Sequence, residues 1–212
     1  MFKSKFQIFI ENTVHSLLSI LKILFFSKIG ASYKKVKGGN SCIVLGNGPS
    51  LNKDIAEHPD FFEQHDLFAV NHFASSDYYR QFKPAYYVLN APEMWEPKAN
   101  EKYVKMGETL FNQLAQKTAW PLDLFINSDA AKYSKWKQIL ANNEQIRVHY
   151  FNAAPIEGFR AFEHLCYRKN LGMPRPHNVL IPSLIIALNL KFKNIFIAGA
   201  DHNWMKDMMV DE

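Results

Sequence analysis

Cysteine is scarce in this 212-residue chain. There are two, Cys42 and Cys166, at no spacing that suits a metal site or a redox pair. So little thiol excludes a disulfide-stapled secreted scaffold, and a reduced, cytosolic setting is the plain expectation. Long uncharged runs are missing too. Between Glu11 and Lys22 stand only ten uncharged residues, His15 among them, against the roughly 20 that a spanning helix takes. No small-residue cleavage site follows, so a signal peptide is not expected. No internal repeat and no low-complexity tract occurs. No Gly-Lys-Ser/Thr follows the glycine turn described below, which excludes a Walker A loop. No Asp-x-Asp pair stands at a strand end to carry a metal.

Acidic residues are missing locally. Residues 1–39 hold seven lysines and one acid, Glu11, for a net of +6, while the rest holds 18 basic and 19 acidic residues, a net of −1. The overall +5 therefore belongs to the N-terminal arm. A nucleic-acid-binding domain would need a basic face of its own, so nucleic acid is not an expected partner. The apolar content of 48% and aromatic content of 14% argue for a packed core. The length suffices for one α/β domain. In the arm, Phe2, Phe6, Phe9, Leu17, Leu21, Leu24 and Phe25 recur at spacings near three and four, as in an amphipathic helix. Lysines beside bulky apolar residues suit a helix in the interface of an anionic membrane. A helix docked on the domain or on another subunit is the first alternative, and a true membrane span is the second. The expectation is membrane contact through residues 1–37, with the protein peripheral on the cytoplasmic face of a bacterial membrane. Lys34, Lys35, Lys37, Gly38 and Gly39 read as a basic, flexible linker into a domain over residues 40–212.

The most informative stretch is residues 41–50, SCIVLGNGPS. Residues 42–45 predict a buried strand. Gly46 and Gly48 turn the chain, and Pro49 suits the first turn of a following helix. A strand that breaks on glycine into a helix leaves backbone N–H groups aimed into the break. These favour an anion by roughly 0.3–1 kcal/mol. Leu51 occupies the third glycine position of a dinucleotide fingerprint, so that motif is incomplete. Asn47 and Ser50 add a polar lining. A tight turn without a ligand is the alternative.

Further strands are predicted over residues 66–71, 85–90, 122–126, 146–151 and 194–201. Helices are predicted over 52–64 (interrupted at Pro59), 75–82, 97–117, 130–141, 157–169 and 179–190, with Phe159, Phe162 and Leu165 facing inward. The alternation predicts a Rossmann-like, doubly wound, mostly parallel α/β sheet. Strand ends then carry Gly46-Asn47, Asn71, Asn90 and Gly199 with Asp201. In a parallel sheet these ends share the edge where ligands bind. Asparagine donates and accepts, as recognition of a base edge or ribose requires, although it also tolerates turn geometry.

Residues 43–51 (IVLGNGPSL), 70–73 (VNHF), 87–92 (YVLNAP) and 187–188 leading to 195–201 (IFIAGAD) resemble, in order and spacing, the bacterial lipooligosaccharide sialyltransferases, glycosyltransferase family 42. The opening motif is also similar to that of the MptE-like group, which includes pterin diphosphokinases. The resemblance covers about residues 41–204. It implies that Asn47, Asn71 and Asn90 hold the nucleotide of a CMP-sugar, with Gly46, Gly48 and Ser50 around the phosphate and Gly199 and Asp201 nearby. His177 and Asn178 stand where that family has a Ser-Gly pair, and His202-Asn-Trp204 replaces an aromatic-rich segment. The family's general base lies beyond the Gly-x-Asp strand, and the sequence given stops at Glu212, which leaves truncation open and the base unassigned.

The functional expectation is metal-independent transfer of a sialic-acid-like sugar from a CMP-type or other nucleotide donor to a surface-glycan or lipid-linked acceptor. No separate cofactor and no metal site are expected. His177 and His202 are the candidates for proton transfer, since imidazole titrates near neutrality. The alternatives are an Mg²⁺-dependent pyrophosphokinase using Asp201 with Asp207 or Asp211, and a non-catalytic nucleotide-binding protein. Homo-oligomerisation is left open.

Overall fold

Strands buried on both faces need apolar residues at successive positions, and four of the six strands found here supply them, while the two at the sheet edges, over residues 146–151 and 194–198, stay partly exposed. The computed structural model describes residues 4–28, 33 and 36–201. The strands are β1 (Ser41–Leu45), β2 (Asp66–Val70), β3 (Tyr86–Leu89), β4 (Leu122–Asn127), β5 (Ile146–Phe151) and β6 (Asn194–Ala198). All pair in parallel, in the order β5-β4-β3-β2-β1-β6. The fold class is therefore the expected Rossmann-like α/β sheet.

The helices are α1 (Lys5–Phe26), α2 (Ser50–Glu57), α3 (Pro59–Glu63), α4 (Tyr78–Phe82), α5 (Glu101–Lys117), α6 (Lys135–Leu140), α7 (Arg160–Arg168) and α8 (Leu180–Asn189). Ile43, Leu45, Ala69, Leu89 and Leu124 face one side, against Ile55 of α2, Tyr79 of α4, Leu110 of α5 and Trp136 of α6. Cys42, Val44, Phe68, Val88 and Phe125 face the other, against Ile186 and Ala187 of α8. Burial of each large aliphatic side chain contributes about 1.5–3 kcal/mol. Burial also pushes the Cys42 thiol up to about 12, so it stays protonated.

Pro59 separates α2 from α3 as expected. His58 before it is driven out of the helical region, at φ −136° and ψ 50°. Three expectations need correction. Leu165 is 48% exposed, while Cys166 and, as expected, Phe162 turn inward. The helix also starts later than residue 157, since Gly158 has a φ of +144°. The described part of the linker is packed rather than flexible. Tyr33 lies edge-on to Phe125 at 5.3 Å, its hydroxyl accepts from Asn189 Nδ2 at 2.9 Å, and Gly38 N donates to Leu190 O at 3.1 Å. Tyr33 and Val36 fill part of the second sheet face beside α8. Lys34 and Lys35 lie outside the described residues. Finally, α1 runs unbroken through Glu11 and Lys22. Its 22 residues, which include an 18-residue stretch of mean hydropathy 1.5, are by length and composition enough to cross a membrane, because one charge near each end of a run does not break a helix.

One buried ion cluster ties β4 to β5. Asp123, 6% exposed, accepts from Arg147 Nε and Nη2 at 2.9 Å each and pairs with His149 Nε2 at 2.7 Å. Burial alone would raise its carboxyl, but the His149 and Arg147 hydrogen bonds and charges outweigh that and hold it below the usual carboxylate value. A carboxyl depressed in the fold stabilises fully above its unfolded value of about 3.9, and that contribution fades as pH falls through the folded value. Asp123→Asn is expected to cost about 1–3 kcal/mol at neutral pH, discounted for the exposed Arg147. Urea midpoints of the wild type and variant should begin to converge as pH falls below about 4 and meet below the folded carboxyl value; a gap that does not shrink on acidification would show that packing, not charge, carries the effect.

Candidate functional site

The sheet order places a topological switch beside β1. The chain leaves β1 towards β2 on one side, and β6 returns on the other. In open parallel sheets ligands bind at such a point, outside the carboxyl ends of the strands. Here those ends touch backbone to backbone. Gly46 N donates to Ala198 O at 2.7 Å, and Gly48 N to Gly199 O at 2.8 Å. A Cβ on Gly46 would fall well inside the van der Waals radius of the Gly199 carbonyl. Gly199 has φ +65°, and a Cβ there would come within 2.8 Å of Gly46 O. Only glycine at both positions permits this approach without displacement of one strand end.

The start of α2 already holds an anion. Ser50 N donates to Asp201 Oδ2 at 2.7 Å. The expectation that Gly46, Gly48 and Ser50 present open amides to a phosphate is therefore corrected: Gly48 gives its N–H to Gly199 and Ser50 gives its N–H to Asp201. The β6 end folds its own carbonyl and carboxylate into the helix start, where the dipole favours negative charge. A phosphate at Ser50 has to displace Asp201.

A cleft of about 360 Å³ opens beside this junction, with Gly46, Asn47, Gly48, Asn71, Asn178, Gly199 and Asp201 on its walls and Val70, Val179 and Leu180 as its apolar part. Seven of the nine residues expected to bind the nucleotide thus meet there. Asp201 is the one charged side chain among the described lining residues. Asn71 sits in the left-handed region at φ 48°, a conformation that asparagine tolerates. Its carbonyl accepts from Tyr87 Oη at 2.6 Å, and Tyr87 Oη in turn accepts from Ala74 N at 2.9 Å. Tyr87 is wholly buried, and burial pushes its hydroxyl well above the ordinary phenol value. It is a neutral pin that fixes the Asn71 turn. Nothing distinguished it in the sequence from a packing residue of β3.

Ser50 contributes its backbone but does not line the cleft. Asn90 does not reach it, since β3 stands two strands, about 10 Å, from β1, and its Oδ1 instead accepts from Asn127 Nδ2 at 3.1 Å. Asn178 lies on the wall, but its Oδ1 caps α8, accepting from Leu180 N at 3.0 Å and Ile181 N at 3.4 Å. His177 is exposed and outside the lining. His202, Asp207 and Asp211 lie outside the described residues. Among the described residues no group of three or more His, Cys, Asp or Glu could hold a metal.

A second hollow, of about 470 Å³, lies along the same rim and is lined by His72, Ser75, Lys102, Lys105, Met106 and Thr109. His72 follows Asn71 directly and is half-buried. Burial lowers its imidazole below the ordinary 6.5, so the neutral, proton-accepting form persists into mild acid. The sequence showed His72 only as part of a strand-end motif; its burial was invisible there.

Tyr87→Phe is expected to leave Asn71 O and Ala74 N unpaired and to destabilise the protein by about 1–3 kcal/mol, read from urea unfolding; a loss under ~0.5 kcal/mol would mean that the turn holds without the pin. An NMR titration should give His72 a midpoint below 6.5, and a midpoint at or above that value would contradict its burial. Compared with known proteins, the chain matches no protein-family model and no curated protein.

Proposed function

We propose that the switch-point cleft binds the nucleoside part of an activated sugar and that the protein transfers this sugar to an acceptor hydroxyl. The observation that carries the proposal is the lining itself. Asn47 and Asn71 supply neutral donors and acceptors, and Asp201 supplies one carboxylate, with no lysine, arginine or histidine among the described lining residues. Such a surface suits hydroxyls and a base edge. A polyphosphate would bring several negative charges to a lining whose described residues include the Asp201 carboxylate and no cationic side chain. A donor with one singly charged phosphodiester, of the CMP type, carries the least repulsion, because Coulomb energy scales with the product of the charges. The resemblance to sialyltransferases supports the same class and is the ground for reading the reaction as metal-independent.

In the reaction, the bond between the anomeric carbon and the phosphate oxygen breaks, and its electrons leave with the nucleotide. The acceptor oxygen bonds to that carbon and loses its proton to a base. His72, neutral and one residue from Asn71, is the described group best suited to take that proton. Lys102 beside it offers positive charge to an acidic sugar, while Lys105 Nζ is paired with Glu101 at 2.7 Å.

Thermal unfolding with CMP, UDP, or ATP plus Mg²⁺ tests this. CMP at about one hundred times its Kd should add about 2.7 kcal/mol, roughly 5–10 °C in Tm for a chain of this size. Asn71→Ala should weaken CMP binding about tenfold, or ~1.4 kcal/mol. No response to CMP would overturn the proposal, and a response to ATP that requires Mg²⁺ would favour pyrophosphate transfer. Binding without turnover of any CMP-sugar would leave a nucleotide-binding protein.

A further inference from the structure

The helix α1 is built inside out relative to an ordinary surface helix. Its polar strip faces the domain. Ser19 is fully buried; its Oγ donates to Glu157 O at 2.8 Å and accepts from Glu157 N at 2.9 Å. Ser16 Oγ accepts from Phe159 N at 3.1 Å, and Lys22 Nζ donates to Pro155 O at 3.3 Å. At 100° per residue, Ser16, Ser19 and Ile23 fall within a sector of about 60°. The opposite side is apolar and bare. Phe6, Val14, Leu17, Leu21, Leu24 and Phe25 are 48–79% exposed and fall within a sector of about 100° centred away from the serines. Ile8, Phe9, Ile20 and Phe26, 42–65% exposed, extend the bare apolar surface to both flanks of the serine strip. A patch of this kind on a single chain marks a surface that something covers.

We infer that α1 lies in the plane of an anionic lipid surface, with its leucine and phenylalanine side in the acyl region and its serine side fastened to the domain. Charge selects this occupant. The arm holds seven lysines against one acid, while the rest of the chain is close to neutral. Such an arm is attracted to anionic headgroups, whereas two copies facing each other through it would repel. Docking decides between lying on the surface and spanning it. A spanning helix needs lipid on every side, and the Ser16 and Ser19 bonds to residues 157 and 159 would have to break. The same docking orients the domain. Lys28 N donates to Asn152 Oδ1 at 2.9 Å, Asn152 Nδ2 donates to Lys28 O at 3.1 Å, and Lys28 Nζ donates to Ser128 O at 2.7 Å. Ser128 and Asn152 directly follow β4 and β5, so the end of α1 sits on the carboxyl rim of the sheet. The switch-point cleft opens on that rim four strand spacings away, about 20 Å. A ligand in the cleft therefore lies within about 20 Å of the helix that touches lipid. The inference does not depend on what the cleft binds.

Flotation of the full chain with vesicles tests it. Phosphatidylcholine vesicles containing 30% phosphatidylglycerol should carry the protein, pure phosphatidylcholine vesicles at least tenfold less, and 0.5 M salt should reduce binding to the anionic vesicles. Leu17→Glu with Leu24→Glu should abolish flotation while Tm and far-UV circular dichroism stay unchanged, since both side chains are exposed. An environment-sensitive fluorophore on Leu24→Cys should shift to the blue on anionic vesicles, and one on Asn12→Cys, on the docked side, should not. Equal flotation of the Leu17/Leu24 variant would overturn the inference. So would a lipid-free dimer that the same variant converts to monomer, which would assign this side of α1 to a second copy. A blue shift at both labels would mean that lipid surrounds the helix.

Discussion

The backbone contact between Gly46 and Gly199 is the constraint on which the rest of the site depends. Two parallel strand ends can approach this closely only where neither carries a Cβ. Because they do, the N–H groups of Gly46 and Gly48 are met by the Ala198 and Gly199 carbonyls, and Asp201 is brought to the first amide of α2. The cleft is what remains open beside that junction. Its shape follows from β6 lying next to β1 and not beyond β5.

Charge is segregated around this junction in a consistent way. The cleft carries one carboxylate among its described lining residues, held by a helix start, while cationic side chains gather at the neighbouring hollow and in the N-terminal arm. Elsewhere, buried charge is matched at short range, as at Asp123 with Arg147 and His149. A buried carboxylate is tolerable only with such partners.

Much of this was legible in the chain as written. All six strands fall where the sequence predicts them; the apolar runs of β1 to β4 bury well on both sides of a parallel sheet, and β5 and β6 form its partly exposed edges. Pro59 divided two helices as its missing N–H requires. The site was legible in part. Asn47, Asn71, Asn178, Gly199 and Asp201 do line one cleft, since strand ends of one sheet must share an edge. Asn90 fails because strand order, which no local pattern encodes, puts β3 too far away. The open phosphate cradle fails because the competing anion comes from a segment 151 residues distant. The late start of α7 and the packed linker follow from a related cause: Gly158 meets Ser16 of α1 and Tyr33 meets Phe125 and Asn189, all remote in sequence.

The sequence alone determined element type, the parallel class of the sheet, and the amphipathic, lysine-rich character of the arm. Those properties are local, resting on side-chain shape, spacing and charge along a short stretch. Tertiary structure alone decided which strand ends became neighbours, that Asp201 rather than open amides faces Ser50, that His72 is shielded from water, and that the serine side of α1 is the docked one. Each of these depends on groups far apart in the chain meeting in space, where desolvation and hydrogen bonding select one partner among several that the residue types alone would accept.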